Sequence, residues 1–445
     1  MARDMTKGNI TGHLLLYAGP LLFGNLFQQL YHTVDSVVVG RFYGKEALAA
    51  VGAAGPIMNI LIFLIVGLSM GTSILMAGYF GAKNFRELKE ELATSLIAGL
   101  ILTVVLSVFS VAGSGLFIRL TQTPAEIAVM ASGYLRIVSF GLIFTFFYNL
   151  FSAALRAIGD SKAPLYVLIL TTLVNVFLDI FLVGIIRLGV TGAALATVIS
   201  QAVSALALFL YIRLRVPSLC LSLTDLKMQT ALLKKTIDFS SVSAIQQTAL
   251  YLGRLLVQSG VNTLGVDAVA AFNAVSIIDS YVLAPGDSLA ASITTFSAQN
   301  MGGKKYSRIP KGLKNMFIIA EVCTVLIAIF VLLFRHPLLG IFLKEEEAGA
   351  LNQALSYLVP MASFYFLSGI TNTYQGYFRG IGKLLVTLMG TFVQIPIRVA
   401  VSYALLGRMG IRAVAVGTAI GWFCMALFET AVYLRCGRIR LADGK

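Results

Sequence analysis

Four residues in the first half of the chain, Asp35, Asn175, Asp179 and Thr197, have the types and spacing of one shared polar site. Asp35 stands six residues before Arg41, near the end of the first long apolar stretch. Asp179 stands eight residues before Arg187 in the fifth stretch, with Asn175 four residues earlier and so on the same helical face. Thr197 lies seven residues after Val190, coming back down the sixth stretch. At ~1.5 Å per residue, all of these fall roughly 9–18 Å inside one boundary. Two carboxylates sharing one poorly solvated pocket titrate as a unit. Equal depth on three helices is what a shared polar site requires. The same spacing also suits carboxylates at helix ends that reach the surface or pair with Arg41 and Arg187.

Other chemistry finds little support. The three histidines, His13, His32 and His336, belong to no HExxH motif, and the Gly-x-Ser-x-Gly string at Gly67-Leu68-Ser69-Met70-Gly71 falls inside an apolar run without the strand-to-helix setting of a nucleophile elbow. Cys220, Cys323, Cys424 and Cys436 have no paired spacing, so neither a disulfide nor a metal cluster is expected. An enzyme is not expected, and no cofactor is implied.

The elements that must position these residues are membrane helices. Hydrophobic residues make up 58% of the chain and charged ones 12%, against about 25% charged in soluble domains. Apolar runs long enough to cross a ~30 Å hydrocarbon core recur throughout, without the alternation of a membrane barrel. Twelve spans are expected, at 11–40, 47–79, 92–117, 125–151, 164–186, 190–212, 237–261, 268–299, 313–334, 351–375, 384–406 and 411–434. The first leads straight into a long span with no small-residue cleavage site, and is expected to be retained.

The chain is also duplicated. Asn149 and Arg156-Ala157-Ile158-Gly159 reappear as Asn372 and Arg379-Gly380-Ile381-Gly382, at an offset of 223 residues. Nearly the same offset relates Phe80-Gly81-Ala82-Lys83 to Met301-Gly302-Gly303-Lys304, and Arg187-Leu188-Gly189-Val190 to Arg408-Met409-Gly410-Ile411. Gln28-Gln29 answers Gln246-Gln247 in the same order. With six spans in each copy, both copies enter the membrane the same way up. The expected fold is an all-α membrane protein of two parallel six-helix repeats, with lobes 1–222 and 223–445. The polar interval 213–235 would link them.

The net charge of +14 reports topology. Lys and Arg are near threefold more frequent in the segments sharing a side with the N-terminus, including Lys83, Arg156, Lys162, Lys304 and Lys383. Arg119, Arg187 and Arg408 fall on the other side. Both termini are therefore expected inside, and no basic soluble face exists for nucleic acid. The turns at 81–89 and 302–314 read as helix stops with inside charge. Pro20, Pro56, Pro285 and Pro396 interrupt spans, and each can act as a hinge or a static kink. Pro20, flanked by Gly19 and Gly24, is the best hinge candidate.

Further ionisable residues fall in the second half: Arg254, Asp279, Asp287, Glu321 and Arg398. An Asp279–Arg398 or Asp279–Arg254 ion pair is the expectation there. Glu429, close to the last basic cluster, is expected to be solvated. Phe144, Phe146, Phe147 and Tyr148, with Met58 and Met70, could line a cavity for flat apolar cations or pack helices.

Several motifs carry a family resemblance. Val34-Asp35-Ser36-Val37-Val38-Val39-Gly40, followed by Ala47-Leu48-Ala49-Ala50-Val51-Gly52, resembles the first two helices of the MATE multidrug and toxic compound extrusion transporters. So do Arg156-Ala157-Ile158-Gly159-Asp160-Ser161 and Gly189-Val190-Thr191-Gly192-Ala193-Ala194. The resemblance covers the whole chain. It implies a V-shaped pair of lobes around a central cavity, exporting organic, often cationic, drugs in exchange for H⁺ or Na⁺. The DinF-like branch implies a coupling site matching Asp35, Asn175, Asp179 and Thr197, with a bending proline matching Pro20. The sodium-linked branch carries acids in its seventh and tenth helices. Here the seventh span has only Asp238 and the tenth has none. Gln28, Met58, Tyr148, Asn149 and Gln246 are the candidate cavity residues. A monomer embedded in the lipid of the plasma membrane is implied, with both termini cytoplasmic. The competing reading is a lipid-linked saccharide flippase of the same superfamily, for which Arg254 and Arg398 would serve.

Overall fold

The computed structural model describes residues 2–121, 123–343 and 347–437, except the side chains at 31–32, 34–41, 43, 45 and 436–437. Among the described residues the regular structure is helical throughout, with no strand. Helix α1 (Ile10–Gly81) is broken at Gly44, whose φ of 77° only glycine adopts readily. It therefore supplies the first two expected spans. Four further helices complete the first half: α2 (Phe85–Leu120), α3 (Ala125–Ala157), α4 (Lys162–Asp179) and α5 (Gly189–Arg215). The second half holds α6 (Thr230–Asn262), α7 (Val266–Gly302), α8 (Arg308–Leu333), the short α9 (Arg335–Gly340), α10 (Ala348–Ser363), α11 (Tyr365–Gly380), α12 (Leu384–Met409) and α13 (Arg412–Val432).

Every expected span coincides with a helix, but two differ in kind. The span at 351–375 is a broken one, with α10 and α11 meeting at 51°. Pro360 withholds a backbone donor just before the break, and Phe364 there leaves helical geometry. Ten described helical segments are long and apolar enough to cross a membrane, eleven with that bent pair. α6 is long enough but too polar to count, since Lys234, Lys235, Asp238, Ser240, Ser241, Gln246, Gln247 and Arg254 fall along it.

The chain forms two compact units, Met1–Asp4 with Phe23–Ala244, and Met5–Leu22 with Ile245–Lys445. They differ from lobes divided at 222/223 by exchanging the first parts of α1 and α6. Within the second unit, Ser292 donates to the Leu14 carbonyl at 2.9 Å, and the Tyr17 hydroxyl meets Thr295 at 3.0 Å. Within the first, Ser240 of α6 donates to the Leu68 carbonyl at 3.2 Å. α1 passes from one unit to the other at Leu22/Phe23, two residues after Pro20.

The duplicated motifs turn out to be helix stops. Gly159 and Gly382 adopt φ of 85° and 77°. Each donates to the Arg three residues back, Gly159 to Arg156 at 2.9 Å and Gly382 to Arg379 at 3.0 Å. The next residue closes the longer loop, Asp160 to Leu155 at 2.9 Å and Lys383 to Phe378 at 2.8 Å. This is the Schellman arrangement, which satisfies two of the carbonyls a helix end leaves open. Lys83 and Lys304 repeat it at φ of 57° and 54°.

Packing repeats too. α2 packs on α3, α3 on α5 and α4 on α5; in the second unit α8 packs on α11, α11 on α13 and α12 on α13. Small residues spaced by four allow close approach where lipid gives no hydrophobic drive. Gly67 and Gly71 face Ala244 and Ser240, where an added Cβ would come within 2.6 Å and 2.4 Å of a side chain. Gly376 and Gly380 lie against the Ala290 and Thr294 carbonyls, where it would come within 2.4 Å and 2.5 Å.

Candidate functional site

The polar stripe of α4 runs Thr171–Asn175–Asp179, one residue every four and hence along one face. All three are buried, Asn175 and Asp179 with 0% exposure. Leu170, Leu173 and Phe177 cover the opposite, exposed face. A helix whose exposed face is apolar and whose buried face is polar is ordered for lipid outside and polar chemistry inside. Neither amide atom of Asn175 has a hydrogen-bond partner among the described residues.

Immediately after Asp179 the helix widens into a π-helical turn, Ile180–Ile185. Such turns shift the backbone register by one residue and recur at functional positions. A Cβ at Gly192 of α5 would lie 3.1 Å from the Leu182 carbonyl group, so the absence of that Cβ lets this turn press against α5. Thr197 lies on α5, which packs on α4; it is buried, and its hydroxyl donates to the Ala193 carbonyl at 3.0 Å. That bond leaves the hydroxyl oxygen free to accept or to coordinate. Asp35 lies on α1, and its side chain is outside the described residues. The structure thus places Asn175 and Asp179 on one buried face and Thr197 on the helix packed against theirs. Among the described residues no cluster of three His, Cys, Asp or Glu could hold a metal.

The candidate cavity residues differ in burial. Met58 is buried, Gln28 exposed, and Tyr148 and Asn149 partly buried. Asn149 donates to the Thr145 carbonyl at 2.8 Å. Gln246 is buried, and its amide is engaged by Gln375 at 2.7 Å and Thr391 at 2.9 Å.

Two expectations for the second half are corrected. Asp279 forms no ion pair with Arg398 or Arg254 among the described residues; it accepts instead from the Tyr365 hydroxyl, at 2.5 Å. The Tyr365 hydroxyl occupies the carboxylate, and Arg398, although its Nε is buried and unpartnered, does not come within ion-pair distance of it. Glu429 is not solvated. It is fully buried, and accepts from the Gln375 amide. Another buried acid, Glu91 of α2, escaped sequence reasoning. It accepts from Ser95 at 3.0 Å and Thr236 at 2.8 Å. Its neighbour Glu90 is in a surface ion pair with Arg86 at 2.9 Å, so helix phase alone separates the two.

Comparison with known proteins decides the family. The family model MatE matches residues 20–181 and again 243–404. The chain belongs to the MatE family. The two matches are displaced by 223 residues, the offset of the Arg-x-Ile-Gly motifs, so each repeat is one MatE unit. A MatE protein is a membrane transporter, not an enzyme. The chain is 31% identical over 417 residues to the probable multidrug resistance protein YoeA of Bacillus subtilis, covering 91% of this chain and 89% of that protein. Its fold matches a MOP superfamily transporter from Pyrococcus furiosus, described as having a binding pocket of reverse polarity. The TM-score is 0.91 at 24% identity, covering 99% of this chain and 98% of that one. It also matches a MATE solved in a bent conformation, with a TM-score of 0.90 at 24% identity over 99% and 97%.

Proposed function

We propose that this MatE protein is a secondary active multidrug antiporter, exporting organic, often cationic, compounds in exchange for H⁺ or Na⁺. The observation that carries the reading is the fully buried Asn175–Asp179 stripe ending in a π-helical turn. Buried ionisable groups facing away from lipid mark ion pathways in membrane helices. The related YoeA, named as a probable multidrug resistance protein, supports the choice of cargo.

In this reading Asp35 and Asp179 bind the coupling ion, while Asn175 and Thr197 hold the carboxylates in place. Pro20 lets α1 bend near the point where it leaves one compact unit for the other. Ion entry from outside neutralises the pair and weakens its hold on a cationic drug, so ion and drug compete. The protein acts as a monomer in the plasma membrane, with both termini cytoplasmic. Uptake of a fluorescent cationic dye into proteoliposomes under separately imposed H⁺ and Na⁺ gradients tests the reading. Transport driven by one gradient supports it. Transport driven by neither, with a lipid-linked saccharide flipped instead, would favour the flippase.

A further inference from the structure

Four helices of the second unit converge on one buried carboxylate. Glu429 of α13 accepts from the side-chain amide of Gln375 on α11. Gln375 accepts in turn from Gln246 of α6 at 2.7 Å, and Gln246 accepts from the Arg379 guanidinium at 3.3 Å. On α12, Thr391 is bonded by Gln246 at 2.9 Å, and the Thr387 carbonyl by Gln375 at 3.2 Å. Gly390 completes the wall, since a Cβ there would lie 3.0 Å from the Glu429 carboxylate.

The ends of this chain fix its direction. A guanidinium only donates and a carboxylate only accepts. Each glutamine must therefore turn its oxygen toward Arg379 and its N–H groups toward Glu429. Protonating Glu429 makes it a donor. The Gln375 amide can then invert to accept, and inversion of Gln246 would set its N–H groups against Arg379.

Two observations separate the cluster from ordinary packing. Glu429 has 0% exposure, and its second oxygen, Oε2, has no hydrogen-bond partner among the described residues. An unpaired buried carboxylate oxygen is costly. Nor does the fold need an acid here. At the corresponding position of the first repeat, 221 residues earlier, stands Leu208, and Gln375 is answered by Ser152. Glu429 lies three residues from the end of α13, and Thr387 three residues from the start of α12. Roughly one helical turn thus separates Thr387 from its helix end, while the helix of Glu429 runs on into the π-helical turn Tyr433–Gly437.

We propose that Glu429 is a second exchangeable proton-binding site, confined to the C-terminal repeat, whose occupancy is relayed to Arg379 through Gln375 and Gln246. The charged and titratable groups facing it are Arg379 and Tyr374 on α11. Tyr433, just past α13, packs on Tyr374 at 5.9 Å, and Asp287 of α7 acts on Arg379. Among the described residues α12 and α6 bond the cluster through the uncharged Thr387, Thr391 and Gln246. As a site of proton exchange in an antiporter it rests on the function proposed above, but proton binding is measurable without transport.

The test is pH-difference infrared spectroscopy of the protein in liposomes, read at the carboxylic acid C=O stretch. The wild type should show a component that appears and vanishes reversibly between mildly alkaline and mildly acidic pH. Glu429→Gln, which keeps the size and a hydrogen bond to Gln375, should lack that component. Gln375→Leu should retain it with its midpoint moved by about one pH unit or more, as loss of a hydrogen bond to a charged group implies. Should Glu429→Gln fail to fold, the Gln375→Leu shift decides alone. Spectra of both variants superimposable on the wild type would overturn the proposal. Dye transport lost under every gradient, with the infrared component intact, would overturn the antiport reading and leave this site standing.

Discussion

Single residues show how environment, rather than type, sets what an acid does here. Asp160 is buried in the turn before α4, where its carboxylate accepts from the backbone N–H of Lys162 and Ala163, both at 3.2 Å. The Tyr211 hydroxyl donates to it at 2.9 Å. Burial alone would push this carboxyl up, but a neighbouring positive charge, together with the hydrogen bonds from Tyr211 and Ala163, outweighs it and holds the group below its ordinary 3.8. A depressed folded value contributes stability that is complete above the unfolded value and lost as pH falls through the folded one. The melting temperature of Asp160→Asn should therefore lie furthest below wild type near neutral pH, with the gap closing below about pH 4; an unchanging gap across the acid range would contradict the assignment. The shared buried face of Asp179 and Asn175 was legible because they interrupt an apolar run at a spacing of four. Glu91 and Glu429 were not, because each sits beside other charges in the sequence. Glu91 follows Glu87, Lys89 and Glu90, and Glu429 precedes Arg435 and Arg438. Only the phase of the helix and the arrival of Thr236 or Gln375 from elsewhere in the chain buries them.

At the scale of elements, apolar length made the helices legible and turn chemistry made their ends legible. The Arg-x-Ile-Gly motif is a Schellman stop in both repeats, and its glycine supplies the positive φ that such a stop requires. The π-helical turn after Asp179 had no such signal, since it depends on which carbonyl each N–H chooses rather than on residue type. The bend between α10 and α11 was equally hidden in one continuous apolar run. α1 carries the functional bend in the proposed cycle. A proline inside a helix leaves one carbonyl without its usual donor and lowers the resistance to bending there. Pro20→Ala should leave expression and melting temperature near wild type while cutting gradient-driven dye transport by about tenfold, equivalent to ~1.4 kcal/mol in the barrier. Unchanged transport would reduce Pro20 to a passive kink.

The whole molecule is two MatE units on one chain, and its duplication is visible at three levels. The motifs, the family matches and the helix-packing order all repeat, the first two at the same 223-residue displacement. What the duplication hides is the exchange of the first parts of α1 and α6 between compact units. No feature near 222/223 signals it, because the linker's own polar residues stay with the first unit; the Gln229 N–H, for example, bonds Thr94 at 3.2 Å. An even number of spans per repeat places the duplicated stops on one face of the membrane. In a background lacking cysteines, Cys introduced at Lys83, Lys162, Lys304 or Lys383 should resist a membrane-impermeant thiol reagent applied to whole cells. Cys at Arg119, Arg187 or Arg408 should react. Labelling of 162 and 383 from opposite sides would end the parallel arrangement.

The central claim is that Asp35 and the buried Asp179 of the first unit couple ion entry to export. It is tested most directly by comparing wild type with Asp179→Asn in proteoliposomes carrying the cationic dye, under H⁺ and Na⁺ gradients imposed one at a time. The amide keeps the size of the side chain and removes only its ability to exchange a charge. Wild type should move dye under one gradient, and Asp179→Asn, present at the same level in the membrane, should fall to the rate of empty vesicles. Wild-type rates from Asp179→Asn under that gradient would place the coupling elsewhere in the molecule.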